Sequence, residues 1–434
     1  MHPANGGFQP GLVHSALTDV GMRRSNNQDS HGFVVADNEA QWQQRGHLFL
    51  VADGMGAHAA GELASKMATE GISHRYLKYL DLSPPEALKQ AIEETNAEIH
   101  RRGEANPEFH QMGTTCSVLA LLPQGAVLAH VGDSRVYRVR GTRVEQLTFD
   151  HSLQWELKAA GQLPAGAEFS AAVPKNVITR SLGPSAKVQV DLEGPLPVEL
   201  EDRFLLCSDG LTGKVDDDEL GAILLALPPE KAGQLLIDLA NLRGGPDNIT
   251  CVIAEVTSPH VTTTQAAATP ILMGAVTHKG SSSAVLWVVV AVAALIAVVM
   301  LLQGNLLVAA ISGGLAAIGL LISIVRMQGS ITGGVTLGQG RRLGRGPYVA
   351  VTAAVTPAMT EKLKEITTEL SEAAEEGGWP VNWEAFREFI KRGKQLVTQG
   401  QYLAAIKEYG QAISFMMEEL RKQNARGGDS WIQY

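Results

Sequence analysis

The chain is poor in cysteine: 434 residues hold three, Cys116, Cys207 and Cys251, with no CxxC spacing among them. That excludes a disulfide framework and a cysteine-based zinc site, and fits a reducing compartment. Basic charge is not in excess. Lys and Arg number 36 against 45 Asp and Glu, a formal net charge of −9, which argues against nucleic acid as a partner. The opening MHPANGGFQP has no basic patch followed by an apolar run, so no secretory leader is expected. Acidic residues are missing altogether between Glu255 and Glu361, and no charge of either sign interrupts 284–302 or 306–325.

Each charge-free run is about the length needed to cross a bilayer core, and only Gln303, Gly304 and Asn305 separate them. The expectation is a transmembrane helical hairpin over 284–325, with a buried hairpin in a soluble protein as the alternative. Ala309, Ala310, Gly313 and Gly314 would let the two helices approach closely. His278 and Lys279 precede the pair, and Arg326, Arg341, Arg342 and Arg345 follow it. The positive-inside tendency then puts both ends on the cytoplasmic side, a multi-pass placement with both soluble parts cytosolic. Residues 257–283, rich in Thr, Ala and Ser, read as a linker. Residues 326–360, Gly-rich and basic, read as a second linker able to touch anionic membrane lipid. Residues 361–434 read as a small all-α domain with helices over 361–375, 383–398 and 401–422. The run GQYLAAIKEYGQAI resembles one tetratricopeptide-like unit, and a plain helical bundle accounts for it equally. This part would serve a protein partner.

Residues 1–256 read as one domain of mixed type. Apolar runs of strand length at 47–52, 115–122, 126–131, 136–139, 204–207 and 249–256 are bounded by Gly, Pro, Asp or Asn. Helical spacing appears at 61–80, 86–102, 153–160, 216–227 and 229–240. Strands come in groups with helices between groups, so an α+β fold of antiparallel sheets covered by helices is expected. Several of the runs end on, or begin after, an acidic residue: Asp53–Gly54, Asp133, Asp209–Gly210 and Asp247. Any one of these alone reads as a turn or a helix cap. Brought together, the four would repel one another and lose hydration, a conflict that hard, oxygen-seeking cations resolve. Oxygen-only ligation favours magnesium or manganese over zinc.

The ordered set RSNNQD (24–29), FLVADGMGAHAAGELAS (49–65), GTT (113–115), GDSR (132–135), LTFDHS (147–152), SDGL (208–211) and GGPDNIT (244–250) resembles the bacterial type 2C, metal-dependent protein phosphatases over 9–256. The resemblance implies a four-layer α/β/β/α sandwich of two antiparallel sheets. It implies hydrolysis of phosphoserine and phosphothreonine in cytosolic proteins, with Mg2+ or Mn2+ as cofactor, two ions per domain and room for a third. It implies that Asp53 bridges two metals with the Gly54 carbonyl on one of them, that Asp209 and Asp247 complete the site, and that Asp133 serves a third ion. Asp29 would hold metal-bound water. Arg24 would grip the substrate phosphate through its planar fork. Thr114 and Thr115 would lie near the site. The hydrolysis would proceed by a metal-activated water with no phospho-enzyme. Substrates would be phosphorylated proteins, a serine/threonine kinase among them, at the inner face of the bacterial membrane.

Two departures stand out. Gln28 occupies a place where many members have Glu, and a neutral amide is a poorer ligand for a dication. Met55 stands where animal members carry a histidine, which leaves His58 as a candidate helper or a surface residue. His151 is expected to order a loop with Asp150. A non-catalytic membrane scaffold that binds phosphoproteins is the rival reading, with Gln28 as its support.

Overall fold

The apolar runs become strands and the polar–apolar stripes become helices, as their periods of two and 3.6 residues require. The computed structural model describes residues 8–57, 59–162, 174, 177–263, 270–273, 284–327, 335–337 and 341–426. Two units divide the chain, Pro270–Leu337 and the remainder.

In the larger unit the strands are β1 (Leu12–Asp19), β2 (Asp29–Val34), β3 (His47–Met55), β4 (Gly113–Thr114), β5 (Cys116–Leu122), β6 (Gly125–Val131), β7 (Arg135–Arg140), β8 (Arg143–Gln146), β9 (Asp191–Leu196), β10 (Arg203–Cys207) and β11 (Ile249–Val256). Between them lie α1 (Glu39–Arg45), α2 (Ala60–Lys78), α3 (Pro84–Ala105), α4 (Leu153–Ala159), the short α5 (Asp209–Thr212), α6 (Asp217–Ala226) and α7 (Pro229–Leu242). One sheet runs β2-β3-β5-β6-β9 with β4 on β3; the other begins β1-β11-β10-β7-β8. Every pairing is antiparallel. Phe49, Val51, Leu119 and Leu128 from one sheet meet Val136, Phe204, Leu206 and Val252 from the other in a core with essentially no solvent exposure. Helices α2 and α3 cover the first sheet; α6 and α7 cover the second. The α+β sandwich is therefore as expected.

The hairpin is not. The smaller unit pairs β12 (Ile271–Met273) with β13 (Val335–Leu337) and packs α8 (Ala284–Leu302) against α9 (Leu306–Met327). Among the described residues no helix is long and apolar enough to cross a membrane, which overturns the transmembrane hairpin and the multi-pass placement in the bacterial inner membrane. The close approach of the two helices falls at Gly319, where a Cβ would come within 2.6 Å of Val290.

The C-terminal residues belong to the larger unit. Val349–Thr352 forms β14 and extends the second sheet by pairing with β8, so part of the basic, Gly-rich stretch is sheet edge. Beside it Glu193 accepts from the Gly346 amide at 3.0 Å. Helices α10 (Pro357–Glu376), α11 (Trp383–Thr398) and α12 (Tyr402–Arg426) follow. Ile406, Tyr409 and Ile413 of α12 share one buried cluster with Leu224, Leu235 and Leu239 of α6 and α7. Arg421 pairs with the buried Asp238 of α7, and Lys362 with Glu219 at 3.3 Å.

Candidate active site

The site is built at the ends of strands, where side chains leave the sheets and backbone carbonyls turn outward. Asp53 lies near the end of β3, opposite Asp29 at the start of β2 in the antiparallel register. Both threonines of the 113–115 run fix the Asp53 backbone. Its amide donates to Thr115 Oγ1 at 2.9 Å, and its carbonyl accepts from Thr114 Oγ1 and from the Thr115 amide, each at 2.9 Å. Gly54 donates its amide to the Gln28 carbonyl at 3.1 Å. A Cβ at Gly54 would collide with the carbonyls of Gln28 and Gly61, so only glycine lets these three backbones meet.

From the other sheet, Asp209 opens α5 directly after β10, and Asp247 stands just ahead of β11. Ser208 donates to Asp29 Oδ2 at 2.7 Å and accepts from the Thr250 amide at 3.0 Å, which joins the two sheets beneath the site. Arg24 stands at the rim with half its side chain exposed and donates to Asp247 Oδ2 at 2.8 Å. Its loop is clamped by Asn248. That buried side chain accepts from the Gln28 amide at 2.8 Å and donates to the carbonyls of Val20 at 2.9 Å and Asn26 at 3.0 Å.

Asp133 follows β6, in the turn to β7. Here His151 departs from its expected role. Its Nδ1 accepts from the Gly132 amide at 2.9 Å, so Nε2 carries the proton and donates to Asp191 Oδ2 at 3.0 Å. Asp150 pairs instead with Arg135, whose Nε and Nη2 donate at 2.9 and 2.7 Å. The imidazole thus holds the turn that carries Asp133, with a partner 40 residues along the chain.

The carboxylates feel one another's charge. Burial, then the charges of Asp29, Asp209, Asp133 and Asp247, push Asp53 well above the ordinary carboxylate range. Burial, opposed by hydrogen bonds from Ser208 and Thr250, with Asp209 and Asp247 adding repulsion, leaves Asp29 at about 7. Burial and the charges of Asp209 and Asp150 place Asp133 at about 7. Asp209 is raised by burial and by Asp247, against a hydrogen bond with Asp53 and the positive charge of Arg24. All four sequence-derived acids, and Asp29, therefore lie in one field.

The donor set suits hard dications. It consists of carboxylate oxygens, and Oδ1 of both Asp29 and Asp133 is buried without a hydrogen-bond partner. Among the described residues no three His, Cys, Asp or Glu side chains form a ready-made metal-holding group. The acids feel one another's charge without closing on one point, as mutual repulsion dictates. The three cysteines are buried and free, and Cys116 and Cys251 are pushed up to about 12 by burial, so thiolate chemistry is excluded.

Comparison with known proteins agrees. The sequence signature of the family "Protein phosphatase 2C" matches residues 22–227. The chain is similar to protein phosphatase PhpP of Streptococcus pneumoniae, 39% identical over 247 residues that cover 56% of this chain and 96% of that one. It is similar to the serine/threonine phosphatase stp of Listeria monocytogenes, 38% identical over 246 residues, 55% of this chain and 93% of that one. The chain belongs to the bacterial protein phosphatase 2C family of serine/threonine phosphatases. The solved serine/threonine phosphatase of Streptococcus agalactiae, 36% identical, superposes with a TM-score of 0.50 over 56% of this chain and 99% of that one.

Within the phosphatase, sequence reasoning had passed over three residues of the site. Ser208 and Asn248 sit inside quoted motifs directly beside an acid, and Ser134 beside Asp133 bonds Thr115 Oγ1 at 2.7 Å. A polar neighbour of a strand-end acid is the signal that could have found them. Gln28 donates its side-chain amide to the Gly56 carbonyl at 3.2 Å and so braces the Asp–Gly turn. Met55 pairs with Gly113 across β3 and β4. His58 lies outside the described residues. Because Asn248 holds the Arg24 loop by three hydrogen bonds, Asn248→Ala should cost about 2–3 kcal/mol of stability. It should also raise KM for a phosphopeptide more than it lowers kcat. Unchanged thermal melting together with unchanged KM would refute the clamp.

Proposed function

We propose that this phosphatase hydrolyses phosphoserine and phosphothreonine in protein substrates and opposes a serine/threonine kinase. Phosphatases of this family work with magnesium or manganese, and in the proposal two ions occupy the acidic pocket. Asp53, Asp209 and Asp247 would hold them with the Gly54 carbonyl, Asp133 would hold a third, and Asp29 would orient water. When bound, such ions supply a water acidic enough to lose its proton near neutral pH. The protein's own part is then electrostatic and geometric. Arg24 stands at the rim with its guanidinium open to a phosphate and already oriented by Asp247. Thr114 and Thr115 hold Asp53 at the strand end, and the Ser208 bridge keeps the two sheets in register beneath it. The observation that carries the reading is that five acids, from β2, β3 and three strand ends, feel one another's charge, with an arginine paired to one of them. In the proposal residues 1–256 carry out the chemistry and the helices after 357 recruit protein partners.

The full chain should release phosphate from phosphoserine and phosphothreonine peptides with manganese and lose that activity in chelator. Turnover insensitive to chelator would refute the metal assignment. Metal-loaded protein that binds phosphopeptides yet releases no phosphate would favour the scaffold reading.

A further inference from the structure

Helices α10 and α11 leave an open trough between them with a cavity of about 600 Å3. Its shape follows from the residues. The α11 side presents Trp383, Phe386 and Ile390, at helical spacing on one face. The α10 side presents the small Thr367, Thr368 and Ser371, whose hydroxyls are spent on their own helix's carbonyls. Large apolar groups opposite small ones cannot close the gap. Phe386 is buried, while Trp383 and Ile390 remain partly exposed.

The rim of this trough is positive. Arg387, Lys391 and Lys394 recur at i, i+4 and i+7 along α11, and all three are exposed. Among the described residues none of the three has an ion pair or a hydrogen bond. Lys364 faces them from α10, paired with Glu361 at 2.6 Å. The trough has one acid, Glu375. Elsewhere on this chain, of net charge −9, the basic residues are commonly paired, as Arg243 is with Glu219 and Arg140 with Asp202. A row of unpaired cations beside a half-open apolar floor repels itself and leaves Trp383 wet. An acidic peptide with an aromatic or aliphatic anchor corrects both at once.

We infer that the trough between α10 and α11 is a docking site for an acidic segment of the phosphatase's protein substrates, remote from the phosphoryl group. The inference rests on the chain being a protein phosphatase. Holding a substrate by a second segment raises its effective concentration at the catalytic pocket, so the effect belongs in KM and not in kcat.

The test uses the full chain and Arg387→Glu, Lys391→Glu and Lys394→Glu combined. These side chains make no contacts that folding needs, and thermal melting should be unchanged. The probe is a fluorescein-labelled 12-residue peptide in which Glu alternates with Leu and Trp. Wild type should bind it at low salt, more weakly with rising salt, and prefer it to the same peptide with Lys in place of Glu. The triple variant should bind it about tenfold or more weakly. It should raise KM by a similar factor for a phosphoprotein bearing such a segment, with kcat and turnover of p-nitrophenyl phosphate unchanged. Equal binding of the acidic and basic peptides, or no loss in the triple variant, would overturn the proposal. So would binding to anionic phospholipid vesicles with none to the peptide. If wild type fails to turn over p-nitrophenyl phosphate, the catalytic reading falls, and the peptide measurement still decides the trough.

Discussion

Asp53→Asn should abolish turnover and, in chelator, raise the melting temperature. The two effects have one cause. Asn keeps the size of the side chain and leaves the backbone bonds to Thr114 and Thr115 in place. It removes the charge that sits among Asp29, Asp133, Asp209 and Asp247. With metal bound, that charge is needed, and its loss should lower kcat by about three orders of magnitude or more, roughly 4 kcal/mol of barrier. Without metal, the same charge is a burden of desolvation and repulsion. The gain in stability should grow with pH, because Asp53 keeps its proton well above the usual range and becomes costly only when it ionises. A turn-forming or helix-capping aspartate would give the reverse: activity little changed and the melting temperature lowered. Turnover of p-nitrophenyl phosphate and a melting series against pH in chelator decide between them.

The sequence made the catalytic half of the molecule legible because its strands carry their own boundaries. The run at 249–256 ends at β11's own limits, and 204–207 misses only Arg203. β2 was not foreseen, since DSHGFV opens with polar residues that serve the site. β14 was hidden because VAVT is short and lies in Gly-rich surroundings, and an edge strand needs a partner that only the fold supplies. The helices after 357 were legible as helices, but an amphipathic stripe does not say what covers it. Ile406 and Tyr409 are buried together with Leu235 and Leu239 of the catalytic half. Removing residues 361–434 would therefore bare the outer face of α6 and α7, and it is no clean test of what the helices do. Of the site, the acids could be read because each stands alone at the end of an apolar run. The partnership of His151 with Asp191 could not, because only tertiary folding brings the turn after β8 to the start of β9.

Asp29→Asn and Asp133→Asn should each gain stability over the wild type in chelator as pH rises from about 4 to 7, and manganese should reverse that dependence. In the folded chain Asp29 and Asp133 hold their protons up to about 7, and burial with the neighbouring acids holds the Asp53 proton well above the ordinary carboxylate range. In the unfolded chain all three lose them near 3.8. Between those limits the native state binds more protons, so each rise in pH costs stability, about 1.4 kcal/mol per unit for each such group. The loss is complete once pH passes the folded value. Buried histidines act in the opposite sense lower down. His47 and His130 are depressed from 6.5 to about 4 and about 3 by burial, so the stability they contribute is fully present above 6.5 and is lost as pH falls. Below about 6.5 the two trends oppose each other in the wild type, but the histidine trend cancels in the difference between wild type and each variant. The informative window is therefore about 4 to 7, read as that difference. Dications bind the ionised carboxylates, so their affinity rises as protons leave. At 100 times its dissociation constant, manganese should add roughly 2.7 kcal/mol, and the melting temperature should then hold or rise across the same window. Asp29→Asn and Asp133→Asn should each remove one such loss from the slope in chelator. A slope that neither variant changes, or that manganese leaves unchanged, would mean that these acids neither repel one another nor share a cation.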